Sequence, residues 1–322
     1  MTPTHTACKL VAIRLLACAL LGSAANAAAQ PVYIWTDEQG IRHLSDRPPE
    51  SDTPVEVVRA LADPRQPVRL TRLGDRSSGR WQVENRLAGP VSVALTLDPA
   101  ENVTSRPGLP TRFELPAWGK RMIEIAPRDP ARRWRYRIQM RHAPGPLHPK
   151  PDHDWRYRVP LPPGVPFRIS QGYGGQYSHQ RPESFHAIDI PLPVGTPVLA
   201  ARDGTVMDTE RWFDGNGDDL QRHGPRANHV RVLHADGTMA VYVHLRYGGV
   251  QVRNGQKLRT GDLIGYSGNT GYSSGPHLHF AVQVQQDLQL LTLPFTLVDH
   301  AGRIVPTDTA HPVSDRPAGH AR

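Results

Sequence analysis

The chain has 322 residues, a formal net charge of +8, 28 Gly, 32 Pro and two Cys. So much Gly and Pro argues against a coiled coil or a helical bundle and for a turn-rich, mainly β protein. Two Cys exclude a disulfide scaffold and a Cys-rich zinc ribbon, so a metal site would draw on carboxylates and the 16 His.

Lys9 and Arg14 precede the apolar run Leu15 to Leu21, and small residues follow as far as Ala29. A basic start, a short apolar stretch and an A-x-A pattern predict a secretory signal peptide over residues 1–29, cleaved after Ala27 or Ala29. The run is shorter than the ~20 residues that span a bilayer, so no stable membrane insertion is expected after cleavage. Cys8 and Cys18 both fall in this segment, which makes the mature chain cysteine-free. Removing Lys9 and Arg14, with no acidic residue, lowers the formal charge by two. The expected location is the periplasm or the exterior.

Residues 30–50 read as a β-hairpin module: Val32 to Thr36 and Ile41 to Ser45 flank a turn ending in Gly40, and Pro48-Pro49 stop it. A linker is expected over 51–66. Over 67–143, alternating apolar residues predict a β-sandwich domain. Val91, Val93, Leu95 and Leu97 form one row; Trp134, Tyr136, Ile138 and Met140 form another. In the second row the intervening Arg133, Arg135, Arg137 and Arg141 are expected on a solvated outer face. Residues 144–166 carry eight Pro and are expected to be a linker or lid. Residues 167–304 are dense in short strands with Gly turns, and a disordered tail is expected over 305–322.

The histidines of 167–304 carry the chemistry. His277 and His279 flank Leu278 at the start of an apolar run, so in a strand both point to one face. One could bind a metal while the other acts in catalysis. His244 ends another strand, and the stretch from Gly172 to Asp189 adds His179 and His186. A catalytic zinc takes three protein N/O ligands and keeps one position open. His186 lies three residues before Asp189, which on a strand places the two on opposite faces; His179 lies ten before. The segment Asp214 to Asp219 has part of a calcium-loop pattern but lacks its Gly and Glu, which points to a loop bordering a cleft.

Several strings, taken in order, resemble the LytM/lysostaphin-type zinc metallopeptidases. They are Gln171-Gly172-Tyr173-Gly174, His179, Asp189-Ile190, Gly195-Thr196-Pro197-Val198 and Ala200 to Val206. Asn228, Tyr242-Val243-His244-Leu245, Ile264-Gly265 and Gly268 to Phe280 complete the set. The resemblance covers about 130 residues. It implies an antiparallel β-sheet, β-sandwich-like metallopeptidase domain with an open groove, preceded by the β-sandwich domain. It implies one Zn²⁺ per chain, held by His179 or His186, by Asp189 and by His279. It implies catalytic roles for His244 and His277, with the general base left open between them. His186, Asn228 and Tyr242 are groove candidates. The implied reaction is zinc-dependent hydrolysis of peptide cross-links in bacterial peptidoglycan; the alternative is a catalytically silent relative that binds the wall or activates another hydrolase. Export and the absence of a nucleic-acid motif argue against a nucleic-acid partner despite the basic charge. A mild positive field suits capture of an anionic wall polymer, and a monomer is expected. The N-terminal hairpin resembles a small module of unassigned function in exported bacterial proteins.

Overall fold

The computed structural model describes residues 31–36, 42–45, 56–59, 66–75, 78–308 and 312–313. The expected signal peptide lies outside them. Among the described residues no helix is long and apolar enough to cross a membrane. The architecture is mainly β, as the Gly, Pro and strand patterns predict.

In the N-terminal module, β1 (Pro31–Thr36) pairs antiparallel with β2 (Arg42–Ser45), and Trp35 stacks on His43 with ring centroids 5.1 Å apart. The other edge of β1 is covered by β3 (Glu56–Arg59), which comes from the segment expected to be a linker. Val57 and Val58 are good strand formers, and pairing gives their backbone groups the partners a bare linker would lack.

Seven strands follow: β4 (Val68–Leu73), β5 (Arg80–Asn85), β6 (Val91–Glu101), β7 (Val103–Arg106), β8 (Thr111–Leu115), β9 (Lys120–Pro127) and β10 (Arg135–Pro144). One sheet has the order β4-β5-β9-β7, the other β10-β6-β8. Val83, Ile123 and Ile125 of the first meet Val91, Val93, Leu95 and Phe113 of the second in one core. On β10, Tyr136, Ile138 and Met140 pack on this core while Arg135, Arg137 and Arg141 stay exposed.

The C-terminal region begins with β11 (Arg156–Arg158), β12 (Phe167–Arg168), β13 (Ile188–Pro191), β14 (Pro197–Leu199), β15 (Gly204–Glu210) and β16 (Asn216–Gly217). The short helix α1 (Leu220–His223), capped by the Asp219 side chain, leads to β17 (Asn228–Leu233) and β18 (Met239–Val250). Then come β19 (Lys257–Leu258), β20 (Leu263–Ser267), β21 (Gly271–Tyr272), β22 (His277–Gln286) and β23 (Gln289–Leu293). The last are β24 (Thr296–Val298), β25 (Ile304–Val305) and β26 (Pro312–Val313). The central sheet runs β13-β22-β18-β17-β15-β19.

Period-2 alternation gives this sheet two different faces. Leu278, Phe280 and Val282 of β22, Ala240 and Tyr242 of β18, and Val230 and Val232 of β17 enter the larger core. On the other face Ala187, Val241 and Ala281 form a small cluster with Val243 packed against it. That second face is the floor of the cleft described below. The sandwich docks on this same face, further along the strands: Met239, one alternation on from Val241, and Met207, both fully buried, belong to the sandwich core, and Ala88 N–H donates to Met207 O at 2.9 Å.

Residues 144–166 do not form a free joint. Tyr157, Val159 and Leu161 alternate into the larger core, and β11 pairs in parallel with β24. Arg202 fastens the same segment: its guanidinium donates to Asp236 Oδ2 at 2.8 Å and to the Tyr157 hydroxyl at 3.0 Å, and it lies 4.1 Å from the Trp155 ring centroid. The eight Pro mask an apolar period-2 row that runs between them. In the expected disordered tail, Pro312–Val313 pair with Phe167–Arg168.

Candidate metal centre and cleft

β13 and β22 run antiparallel with Asp189 opposite His279 and Pro191 opposite His277. This register places the Asp189 carboxylate beside the polar edge of β22. His279 Nδ1 lies 2.9 Å from Asp189 Oδ1. His277 Nε2 lies 3.7 Å from the same oxygen.

The third member comes from the excursion between Gly172 and Ala187. Its turn is closed by Gly174 N–H donating to Phe185 O at 2.7 Å and Ser184 Oγ–H donating to Ser178 O at 3.0 Å. Gly174 has φ +63°, a conformation that costs glycine little, and a Cβ there would stand 3.3 Å from the Phe185 ring. The excursion returns His179, fully buried, to the strand edge. Its Nε2 lies 3.2 Å from Asp189 Oδ1 and 3.3 Å from His279 Nδ1. His179 Nδ1–H donates to Gly172 O at 2.8 Å, which leaves the Nε2 lone pair facing the carboxylate and the second imidazole.

His179, Asp189 and His279 thus present three donor atoms within 4.8 Å of one another. The triangle has edges of 3.2, 3.3 and 2.9 Å. A tetrahedral ion with bonds of ~2.0–2.2 Å spaces its donors about 3.3–3.6 Å apart, so the residues fit a zinc-sized ion with little movement. Gln171, the first residue of the Gln-Gly-Tyr-Gly string, supports the site. Its Nε2–H₂ donates to Asp189 Oδ2 and to Ser178 Oγ, both at 2.8 Å. A Gln directly before Gly-Tyr-Gly is visible in the sequence, but nothing there indicates that it reaches Asp189.

His244 is placed by a bulge. Asn228 pairs with Leu245 and His229 with Val243, so His244 is the extra residue, with φ +65°. This left-handed backbone is costly for a side chain bearing Cβ and turns the imidazole out of the strand alternation. Asn228 clamps the bulge: Nδ2–H₂ donates to Phe213 O at 2.9 Å and Leu245 O at 3.2 Å, and Thr270 Oγ–H donates to Leu245 O at 2.7 Å. His244 Nδ1–H donates to Thr270 O at 2.7 Å, and His277 Nδ1–H donates to Gly275 O at 2.8 Å. Each ring therefore keeps its Nε2 lone pair, and the two centroids are 4.5 Å apart.

Burial and mutual charge set the protonation states. Burial pushes the Asp189 carboxyl up, but the adjoining His179 and His279 imidazoles prevail and hold it well below the usual range. Burial pushes His179 down, yet the Asp189 contact outweighs it and raises its pKa. His279 is lowered, chiefly by burial, against the pull of Asp189. His244 falls to about 3, through burial and then the neighbouring His277 and His279.

Asp189, His244, His277 and His279 line a cleft of about 830 Å³ between the 172–187 excursion and the 268–276 turn, and the fully buried His179 adjoins them. Tyr177 and Tyr272 stack across its rim at 6.0 Å. Leu220, Gly224 and Pro225 line it too, whereas residues 214–219 of the Asp-rich loop, expected to border a cleft, are not among the lining residues.

The three groove candidates do not line this cleft. His186 donates from its backbone N–H to Thr292 Oγ at 2.9 Å and meets Tyr173 edge-on at 5.2 Å. Tyr242 is fully buried in the larger core, where its hydroxyl accepts from Ala201 N–H at 2.7 Å. Asn228 lies beneath the bulge. Each side chain finds its partners on the protein side, away from the cleft.

Residues 183–289 match the model described as Peptidase family M23, and residues 18–69 match that of a domain of unknown function, DUF4124. Peptidoglycan DD-endopeptidase ShyA of Vibrio cholerae is 34% identical over 122 residues, 37% of this chain and 25% of that protein. Glycyl-glycine endopeptidase ALE-1 of Staphylococcus capitis is 32% identical over 115 residues, 35% of this chain and 28% of that protein. The chain spans about a quarter of the length of these curated relatives. A solved structure, the catalytic domain of a point mutant of the prophage-encoded M23 protein EnpA from Enterococcus faecalis, aligns at 26% identity. It covers 42% of this chain and 94% of that one, with a TM-score of 0.32. Residues 183–289 of the C-terminal β region are thus similar to peptidase family M23, and the strands β1 to β3 lie within the stretch similar to DUF4124.

Proposed function

We propose that this protein is a zinc-dependent endopeptidase that hydrolyses peptide cross-links of bacterial peptidoglycan in the periplasm or outside the cell. The observation that carries the reading is the convergence of three donor atoms beside two imidazoles with free Nε2 lone pairs, all at one open cleft. The activities of the peptidoglycan and glycyl-glycine endopeptidases similar to it support peptide cross-links as substrate.

In this reading His179 Nε2, Asp189 Oδ1 and His279 Nδ1 hold the metal. When bound, zinc supplies Lewis-acid polarisation of a carbonyl and makes a nearby water easier to deprotonate. His277 Nε2, on the same strand face and 3.7 Å from Asp189 Oδ1, is the better placed of the two free imidazoles to take the proton of the attacking water. His244 is kept neutral and is oriented by Thr270 O, so it packs against His277 without adding a like charge. Gln171 fixes the Asp189 carboxylate so that Oδ1 faces the two imidazoles. The long cleft keeps room for an extended peptide across β18 and β22.

Digestion of purified peptidoglycan with the mature protein, followed by mass spectrometry of the released muropeptides, tests this reading. Zinc-dependent loss of cross-linked dimers, with new peptide termini at one bond, is the expected result. Zinc-loaded protein that leaves every dimer intact would contradict it and favour a silent wall-binding role.

A further inference from the structure

The cleft floor does not end at the histidines. On β17, His229 lies opposite Val243, which lies opposite His279; one row further along, Arg231 lies opposite Val241, which lies opposite Ala281. Arg231 therefore shares the cleft face, separated from the metal-site residues by the apolar patch of Val241, Val243 and Ala281. Its guanidinium crosses that patch and donates to Gln283 Oε1 on β22. Gln283 is fixed in turn, its Nε2–H₂ donating to Glu183 O at 2.8 Å.

Among the described residues no carboxylate forms an ion pair with Arg231. The neighbouring acid is Asp208, opposite Arg231 on β15, and it is engaged by His229 Nε2 at 3.2 Å. Arg231 is half-buried, so its charge has lost part of its hydration and gains from an anion brought to it. Burial does push the Arg231 pKa down, with Asp208 only partly opposing it. An arginine held in place by a neutral amide, facing an open cleft, has donors left for a planar anion.

We infer that Arg231, positioned by Gln283, is a carboxylate anchor for the peptide substrate at the end of the cleft remote from the metal-site histidines. The inference rests on the peptidase reading above. Gln283 is four residues from His279 on the same strand face, so the guanidinium stands about 13 Å along β22 from the site of cleavage. An extended peptide advances ~3.3–3.6 Å per residue, which places the recognised carboxylate three to four residues from the scissile bond. The patch between suits small apolar side chains.

The test uses peptides of one sequence with a single free carboxylate moved from one to five residues from the scissile bond, each matched by its amide. For the wild type, kcat/KM should favour the carboxylate over the amide about 10–100-fold at the third or fourth position, mainly through KM. In Arg231→Met that ratio should fall to about one, with zinc content unchanged. Gln283→Leu, which frees the guanidinium without removing it, should lower the ratio part of the way and guards against a folding defect in Arg231→Met. Affinities of the same peptides for His279→Ala protein, measured by calorimetry, read the anchor without hydrolysis. A carboxylate preference there, with no turnover in zinc-loaded wild type, would sink the peptidase reading and keep the anchor. Turnover with no carboxylate preference at any position, or a preference that survives Arg231→Met, would overturn the anchor.

Discussion

Strands β10 and β22 follow the same alternating rule and reach opposite ends. On β10 the polar residues are arginines that stand in solvent while Tyr136, Ile138 and Met140 cover the sandwich core. On β22 the polar residues are His277 and His279, half-buried, and Leu278 and Phe280 fill the core on the other side. Alternation alone therefore says which residues share a face, not whether that face meets water. The difference lies in what lies over the strand: among the described residues the β10 arginines are left exposed, whereas β13, the 172–187 excursion and the bulge at His244 enclose the β22 histidines.

The largest effect should come from breaking the enclosed face. His279→Ala removes one corner of the donor triangle, so bound zinc and activity should both fall to background, measured by metal analysis and peptide release. His277→Ala should keep zinc and lose about 10²–10⁴-fold in kcat, the usual scale for a general base; loss of metal in this variant would move His277 into the ligand set. In the sandwich, Leu95 is fully buried, so Leu95→Ala should cost about 2–5 kcal/mol in denaturant unfolding. Zinc content at low temperature should stay at the wild-type value.

A smaller, pH-dependent effect is expected where Arg202 ties the Pro-rich segment to the sheet. Burial pushes the Asp236 carboxyl up, but hydrogen bonds from Thr238, Asp152 and Arg202 overcome it and hold the pKa at about 2. The unfolded value is ~3.9, so this carboxylate stabilises the fold above that pH and loses its contribution as pH falls towards 2. Asp236→Asn should flatten that part of the stability-pH profile. The smallest effect belongs to the exposed row: Arg137→Ala should change stability by no more than about 0.5 kcal/mol.

Much of this could be read from the residues. The H-x-H pair on one strand face, the apolar rows at Val91 to Leu97 and Trp134 to Met140, and the mainly β class follow from period-2 alternation. Other features arise from long-range closure, which local pattern does not encode. Asp189 meets His179 because a turn closed by Phe185 O and Ser178 O folds ten residues back on themselves. His244 leaves its strand's alternation because one residue is inserted against β17, and Asn228 matters through that bulge rather than as a wall of the cleft. Arg231 is ordinary in sequence, one basic residue among 38; only the strand order brings it over Val241 to Gln283. Tyr157, Val159 and Leu161 are hidden by the prolines around them, which read as a joint although the alternate residues bury.

The central claim is that the enclosed polar face of β22, completed by Asp189 and His179, binds one zinc and cleaves peptide cross-links. The most direct measurement is zinc stoichiometry and cross-link cleavage, made in parallel on wild type, His179→Ala and His186→Ala. The account predicts one zinc and active hydrolysis in wild type and in His186→Ala, and neither in His179→Ala. Full zinc and activity in His179→Ala, or their loss in His186→Ala alone, would contradict it.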